Sequence, residues 1–195
     1  MPELRRLEGE SLNRHVAELA QLRIRVFREY PYLYDGDLEY ESRYLQTYLQ
    51  SPDSLVVMAF EGDHVVGAST AIPLKFETGE VKYPFVQAGM DVETIFYFGE
   101  SVLLPEYRGQ GIGVAFFQHR EDHARQLGGY QFTSFCAVDR PQDHPRRPKD
   151  YQPLDSFWRN RGYEKHPELQ TTFDWKEIGE AEESEKPMIF WMKTL

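Results

Sequence analysis

The sequence predicts a single α/β domain over residues 1–195, built on a mixed, mostly antiparallel twisted sheet of about seven strands with helices on both faces. Apolar residues recur at helical spacing through the N-terminal quarter, and short β-branched and aromatic runs follow. A glycine-rich turn then joins a strand to another amphipathic helix. The resulting order is two helices, two strands, two strand–helix units and two closing strands, a pattern of layered sheet and helices.

The first helix is expected from Asn13 to Tyr30, with Leu12, Val16, Leu19 and Val26 on one side and Ala20 and Phe27 beside them. Pro31 stops it, because proline disfavours the helical region for the residue before it. After a tyrosine-rich turn, Asp37 caps a second helix reaching about Gln50, with Leu38, Leu45, Tyr48 and Leu49 on its inner face. Ser51-Pro52-Asp53 breaks this pattern, and residues 54–74 read as two strands joined at Glu61-Gly62-Asp63. Lys75 to Met90 reads as a loop with extended pieces. Glu93 to Leu104 reads as one strand, where Gly99 marks a bulge or a close backbone approach. The glycine-rich turn spans Arg108 to Gly113, and its helix runs to about Gln126 before Gly128-Gly129 ends it. Residues 130–138 form a strand and 139–153 a proline-rich surface loop. Leu154 to Asn160 is a short helix closed by Gly162. Strands near Leu169–Trp175 and Pro187–Lys193 follow, joined across the acidic turn 177–185.

Composition narrows the function classes. Hydrophobic residues make up 41% of the chain, with 13 Phe, 12 Tyr and 3 Trp, enough for a substantial core and against disorder. No apolar run approaches the ~20 residues of a membrane span, and the start lacks a signal-peptide apolar region, so a cytoplasmic protein is expected. The single cysteine, Cys136, leaves no internal disulfide to form. The net charge of -10 works against nucleic acid and acidic membranes as partners, and mildly favours cations such as protonated amines. His119 and His123 are four apart on a helix, yet H-R-E-D-H lacks the glutamate of H-E-x-x-H and no third ligand is evident, so no metal is expected.

Chemistry concentrates in Glu100–Gly113, ESVLLPEYRGQGIG. Glycines let the backbone turn tightly and approach a ligand closely. The first turn of the next helix presents free N–H groups and the positive end of the dipole, which suits a pyrophosphate. The spacing is not the dinucleotide fingerprint, because the third glycine of G-x-G-x-x-G would fall on Val114, and no Lys-Ser/Thr pair follows as in a P-loop.

Arg108-Gly-Gln-Gly111-Ile-Gly113 resembles the R/Q-x-x-G-x-G/A motif of the GNAT superfamily of N-acetyltransferases, and Leu103 to Tyr107 is similar to the strand end preceding it there. Phe157-Trp158-Arg-Asn-Arg-Gly162-Tyr163 resembles the second signature of that family, a short helix ending in Gly-Phe or Gly-Tyr. The order of elements agrees from end to end. The resemblance implies acetyl transfer from acetyl-CoA to a primary amine, directly within a ternary complex and without a metal. It implies that backbone groups of Arg108, Gly109, Gln110, Gly111, Ile112 and Gly113 hold the coenzyme pyrophosphate. Backbone groups around Val102, Leu103 and Leu104 would pair with the pantetheine arm, and the strand before the motif would splay from its neighbour. The acceptor itself stays open among small amine, amino acid, aminoglycoside and peptide N-terminus, and a homodimer follows the family's habit.

The family often places a basic carboxylate on the strand before the phosphate turn; Glu100 is preferred here over Glu93. Trp158 stands where a tyrosine commonly acts as general acid, and indole cannot supply a proton. Tyr151 is then the candidate acid, with Tyr97 or water as substitutes. The link between the first two helices often borders the acceptor, and its cluster of Tyr30, Tyr32, Tyr34, Asp35, Asp37 and Glu39 suits a cationic amine, with a plain surface loop as the other reading. Tyr34 and Asp35, with Tyr97, are the candidates. Two other readings stand beside this one: a catalytically weak or inactive acyl-CoA-binding regulator, suggested by Trp158, and a nucleotide-binding module. Cys136 would suit an acyl-cysteine route, but its place mid-strand without an adjacent histidine favours a structural thiol. Arg146, Arg147 and Lys149 beside His144 read as a solvated loop, with a coenzyme phosphate as the other reading.

Overall fold

The computed structural model describes residues 2–7 and 9–195. The chain opens with a strand, β1 (Glu3–Leu7), which the sequence reading does not anticipate because the segment, ELRRL, is mostly exposed and charged. The first helix is two: a short α1 (Gly9–Asn13) carries Leu12, and α2 (Val16–Phe27) buries Val16, Leu19, Ala20 and Leu22. It ends at Phe27 rather than at Tyr30. In α3 (Leu38–Gln50), the Asp37 carboxylate accepts from the Tyr40 N–H at 2.9 Å, the expected N-cap. Leu45 and Tyr48 are buried, whereas Leu38 is 48% exposed and Glu41 takes the buried position one turn ahead of Leu45.

Strands β2 (Leu55–Glu61) and β3 (His64–Pro73) form the expected hairpin, and β1 pairs with β2 antiparallel. Residues 75–90 are not a loop. They hold a helix, α4 (Gly79–Gln87), which buries Val81 and Phe85 and contains Pro84. Proline removes the N–H that the Glu80 carbonyl would accept. The Thr171 hydroxyl replaces it, donating to that carbonyl at 2.8 Å, so a tertiary contact permits a helix that local sequence argues against.

The single strand expected from Glu93 to Leu104 is also broken. Residues 92–94 form a 3-10 turn, followed by β4 (Ile95–Tyr97) and β5 (Ser101–Leu103). Gly99 lies at the break: its N–H donates to the Thr70 carbonyl at 3.1 Å, and the Thr70 N–H returns to the Glu100 carbonyl at 3.1 Å. A Cβ at Gly99 would sit 1.9 Å from the Tyr48 hydroxyl oxygen, so the close approach requires glycine. Next come α5 (Ile112–Leu127), β6 (Phe132–Val138), α6 (Asp155–Arg159), β7 (Glu164–Trp175) and β8 (Ser184–Thr194).

The sheet order is β1-β2-β3-β4-β6-β8-β7, with β5 pairing β3 beside β4. Only β4 and β6 run parallel among these pairs; the rest are antiparallel. Helices lie on both faces. Glu100 reaches Arg23 of α2 while the adjacent Ser101 accepts from Arg120 of α5, and successive residues of an extended chain point to opposite faces. Among the described residues, no helix is long and apolar enough to cross a membrane.

Candidate active site

β4 follows β6 as far as the Phe98 N–H, which donates to the Ser134 carbonyl at 2.8 Å. Past Gly99 the chain turns toward β3, and β5 leaves β6. A cleft of about 1330 Å³ opens at this parting, bounded by the glycine turn at one side and by Tyr30, Pro31 and Tyr32 at another.

The glycine turn is built as the spacing predicts. Gly109 and Gly111 have φ of 75° and 84°, in the left-handed region that favours glycine. Gly111 caps α5, whose first internal bond runs from the Ala115 N–H to the Gly111 carbonyl at 3.0 Å. Amides ahead of Ala115 therefore have no helical acceptor, and no acidic side chain occupies that turn. At Gly113 a Cβ would lie 3.3 Å from the Phe157 ring, so this glycine lets α6 pack close. Arg108 braces the turn with its side chain: Nε–H donates to the Leu103 carbonyl at 3.1 Å, and the guanidinium pairs with Glu29 at 3.0 Å. Gln110 donates to the Glu106 carbonyl at 3.1 Å.

Hydrogen-bond parity decides which part of β5 is open. The Leu104 N–H donates to the Val66 carbonyl at 3.0 Å, and the Glu100 carbonyl accepts from Thr70, so the even-numbered residues face β3. In an antiparallel pair the intervening residues point their N–H and C=O groups away. Leu103 therefore presents its backbone to the gap, as does Ser101, which the sequence reading omits, whereas Val102 and Leu104 do not.

Glu100 lines the cleft with a side chain that is 3% exposed. Its Oε2 pairs with the Arg23 guanidinium at 2.6 Å and accepts from the Tyr44 hydroxyl at 3.4 Å. Arg23 also bonds Glu41, and Tyr48 donates to Glu77 at 3.1 Å, extending a buried polar network beneath the cleft. Glu100 Oε1 is buried without a partner among the described residues. Glu93, by contrast, is exposed outside the cleft and paired with Lys75 at 2.8 Å.

Tyr151 lines the cleft, edge-on to Tyr30 with ring centroids 4.7 Å apart, and the Arg147 guanidinium lies 5.0 Å from its ring centroid. Burial raises its pKa, so the hydroxyl keeps its proton through neutral pH. Trp158 packs between Phe135 and Trp191, at 5.1 and 5.0 Å, as part of an aromatic wall. Cys136 also faces the cleft, but burial pushes its thiol up to about 12, which leaves little thiolate at neutral pH.

The acceptor residues expected from sequence are not where they were placed. Tyr34 forms a bridge with Glu177, and Asp35 pairs with Arg28 at 3.1 Å and Lys176 at 3.6 Å; neither lines the cleft. The chain reverses after Phe27, whose carbonyl accepts from the Tyr34 N–H at 2.9 Å, and this turns Tyr30 and Tyr32 to the cleft instead. Tyr97 is buried, its hydroxyl 3.1 Å from Cys136 Sγ, and it too is absent from the cleft wall. His119 and His123 face separate partners, Arg6 at 3.3 Å and the Asp53 carbonyl at 2.9 Å. Sequence reasoning also missed Arg23 and Arg120. Each is an arginine amid an apolar helical stripe, which is the signal that marks such buried charges.

The model of the Acetyltransferase (GNAT) family matches residues 17–147. No curated protein matches the chain. Among solved structures, a ribosomal-protein-alanine N-acetyltransferase from Brucella melitensis aligns with a TM-score of 0.63 at 14% identity, covering 99% of each chain. An acetyltransferase from Streptococcus agalactiae aligns at 0.61 and 16%, covering 98% of each. The Salmonella typhimurium protein yncA, solved with its cofactor acetyl-CoA, aligns at 0.60 and 10%, covering 100% of this chain and 94% of the other. At such identities these structures establish the fold alone. The family model spans more than half of the sequence and its signature turn begins the cleft-lining helix, so the chain belongs to the GNAT acetyltransferase family.

Proposed function

We propose that this protein, as one domain over residues 1–195, transfers an acetyl group from acetyl-CoA to a primary amine by direct attack within a ternary complex. The parting of β5 from β6 beside the start of α5 carries this reading. It brings an open strand edge, an anion cradle and a buried carboxylate into one cleft. The residues fit acetyl-CoA. The turn from Arg108 to Gly113 would hold the pyrophosphate through its amides, and Leu103 with Ser101 would meet the pantetheine amides along the strand edge. Bound acetyl-CoA supplies an activated thioester carbonyl.

The chain's own task is to manage protons and position the amine. A lysine-like amine has a pKa of about 10.4, so roughly one molecule in a thousand or fewer is neutral at pH 7. In this reading Glu100 Oε1, buried and unpartnered among the described residues, accepts that surplus proton directly or through water. Tyr30 and Tyr32 border the amine, and aromatic faces suit a cation. Tyr151 serves as the acid. Tyr151→Phe is accordingly expected to lower kcat by ~10²-fold or more while leaving the KM for acetyl-CoA near the wild-type value. An unchanged kcat would assign protonation to solvent.

Calorimetry with acetyl-CoA, followed by thiol release against a panel of amines, tests the whole reading. Gly111→Val should weaken acetyl-CoA binding by about 1–3 kcal/mol, because a β-branched residue strains the left-handed conformation of the turn. Failure of the wild-type protein to bind acetyl-CoA would sink the proposal. Binding without turnover of any amine would instead support the regulatory reading, which the aromatic packing of Trp158 favours by leaving no acid at that wall.

A further inference from the structure

We propose that Arg120 on α5 stabilises the negative charge that gathers on sulfur as the acetyl group leaves the coenzyme. The inference rests on the acetyl-transfer reading above and deepens it at a residue outside the signature turn. Arg120 is 1% exposed, yet it forms part of the cleft wall where β5 parts from β6. Its Nε–H donates to the Phe116 carbonyl at 3.2 Å, and Nη1 donates to the carbonyls of Thr70 at 3.4 Å and Glu100 at 3.1 Å. Nη2 donates to Ser101 Oγ at 2.9 Å. A guanidinium carries five N–H donors, so these bonds leave one further donor. All of these acceptors are neutral. The rings of Phe98 and Phe117 lie against it, with centroids 4.2 and 4.8 Å from the guanidinium carbon.

No carboxylate makes a direct ion pair with this guanidinium among the described residues. The titratable groups that act on it are Tyr163, Glu100, Glu121 and Tyr48. Each has another partner. Glu100 pairs with Arg23 at 2.6 Å, toward the opposite face of the sheet, and Glu121 pairs with Lys193 at 2.8 Å and Arg125 at 3.2 Å. The Tyr163 hydroxyl lies 2.8 Å from Thr133 Oγ1 and donates to Glu121 at 3.2 Å, while Tyr48 donates to Glu77 at 3.1 Å. Burial draws the guanidinium down to about 10, still cationic at neutral pH. Burying a cation without a directly paired carboxylate is costly. Held by fixed neutral dipoles, it is a preorganised partner for negative charge that appears only during reaction.

The neighbouring wall strengthens the case. Phe98, Phe117, Phe135, Phe157 and Trp158 line the same part of the cleft, and none of these side chains can supply a proton. During transfer the amine nitrogen bonds to the acetyl carbon, and the carbon–sulfur bond breaks with its electron pair passing to sulfur. The surplus proton on nitrogen goes to Glu100 or water, and the sulfur takes a proton after departure, from Tyr151 or solvent. Arg120 stays protonated throughout and lowers the energy of the anionic sulfur.

The test reads the thiol itself rather than turnover. Free coenzyme A bound to the protein should ionise at a pH about one unit or more below that of coenzyme A in solution, followed by the ultraviolet absorbance of the thiolate. Arg120→Met should abolish the shift, and Arg120→Lys, which keeps the charge, should retain part of it. A merely structural role would weaken coenzyme binding in Arg120→Met without setting the ionisation of the bound thiol. An unshifted thiol in the wild-type complex overturns the proposal whatever the variants do, including a variant that fails to fold. Absence of coenzyme binding would bring down the parent reading and this one with it, whereas binding with an unshifted thiol would remove this one alone.

Discussion

Arg23→Met is expected to lower the free energy of unfolding by about 3–5 kcal/mol, the range for breaking a buried ion pair from one side. Arg23 lies on α2 with 10% of its side chain exposed, between Glu41 of α3 and Glu100. Its guanidinium also stacks on the rings of Tyr44 and Phe27, at 4.4 and 5.2 Å. Methionine replaces the volume but leaves the Glu41 and Glu100 carboxylates, whose side chains are 1% and 3% exposed, facing one another without a cation. Like charges at that depth must bind a proton, admit water or separate. Any of these loosens the contact of α2 with α3 and with the bulge that opens the cleft. Urea denaturation with an unchanged slope would read the loss. A loss below about 1 kcal/mol, the scale of a surface pair, would mean that water already reaches the network.

The features legible in the sequence are those that local chemistry determines. Asp37 caps its helix because a side-chain oxygen there meets an amide a few residues on, and the spacing of Gly109, Gly111 and Gly113 fixes the turn and the start of α5. Gly99 marked a bulge or close backbone approach because glycine is unusual inside a strand, although the Tyr48 hydroxyl that it makes room for lies far off in sequence. What stayed hidden depends on partners distant in sequence. α4 tolerates Pro84 because Thr171 satisfies the Glu80 carbonyl, and β1 is a strand because β2 offers it an edge. Part of the tyrosine-rich link lines the cleft, but which of its tyrosines face inward depends on the reversal after Phe27. Hence Tyr30 and Tyr32, rather than Tyr34, reach the cleft. Likewise, Glu100 lies in the break between β4 and β5 rather than on one continuous strand, and the arginine that holds it could not be named from spacing alone.

Glu100→Gln is the sharper probe, because it separates proton transfer from the architecture that Arg23 maintains. The substitution keeps the shape of the side chain and leaves Arg23 its bond to Glu41, so the fold should lose far less than in Arg23→Met. Removal of a general base is expected to lower kcat by ~10²–10⁴ with acetyl-CoA affinity unchanged. An unchanged kcat would assign that proton to water and leave Glu100 as a structural anion. The double variant then tests whether both effects come from one network. Arg23→Met with Glu100→Gln removes the cation and one of the two carboxylates it stranded, so it should be more stable than Arg23→Met alone, with a coupling of about 0.5–3 kcal/mol. Strict additivity would mean that the two residues do not sense each other, and Glu100 would then owe its position to the backbone bonds around Gly99 rather than to its ion pair.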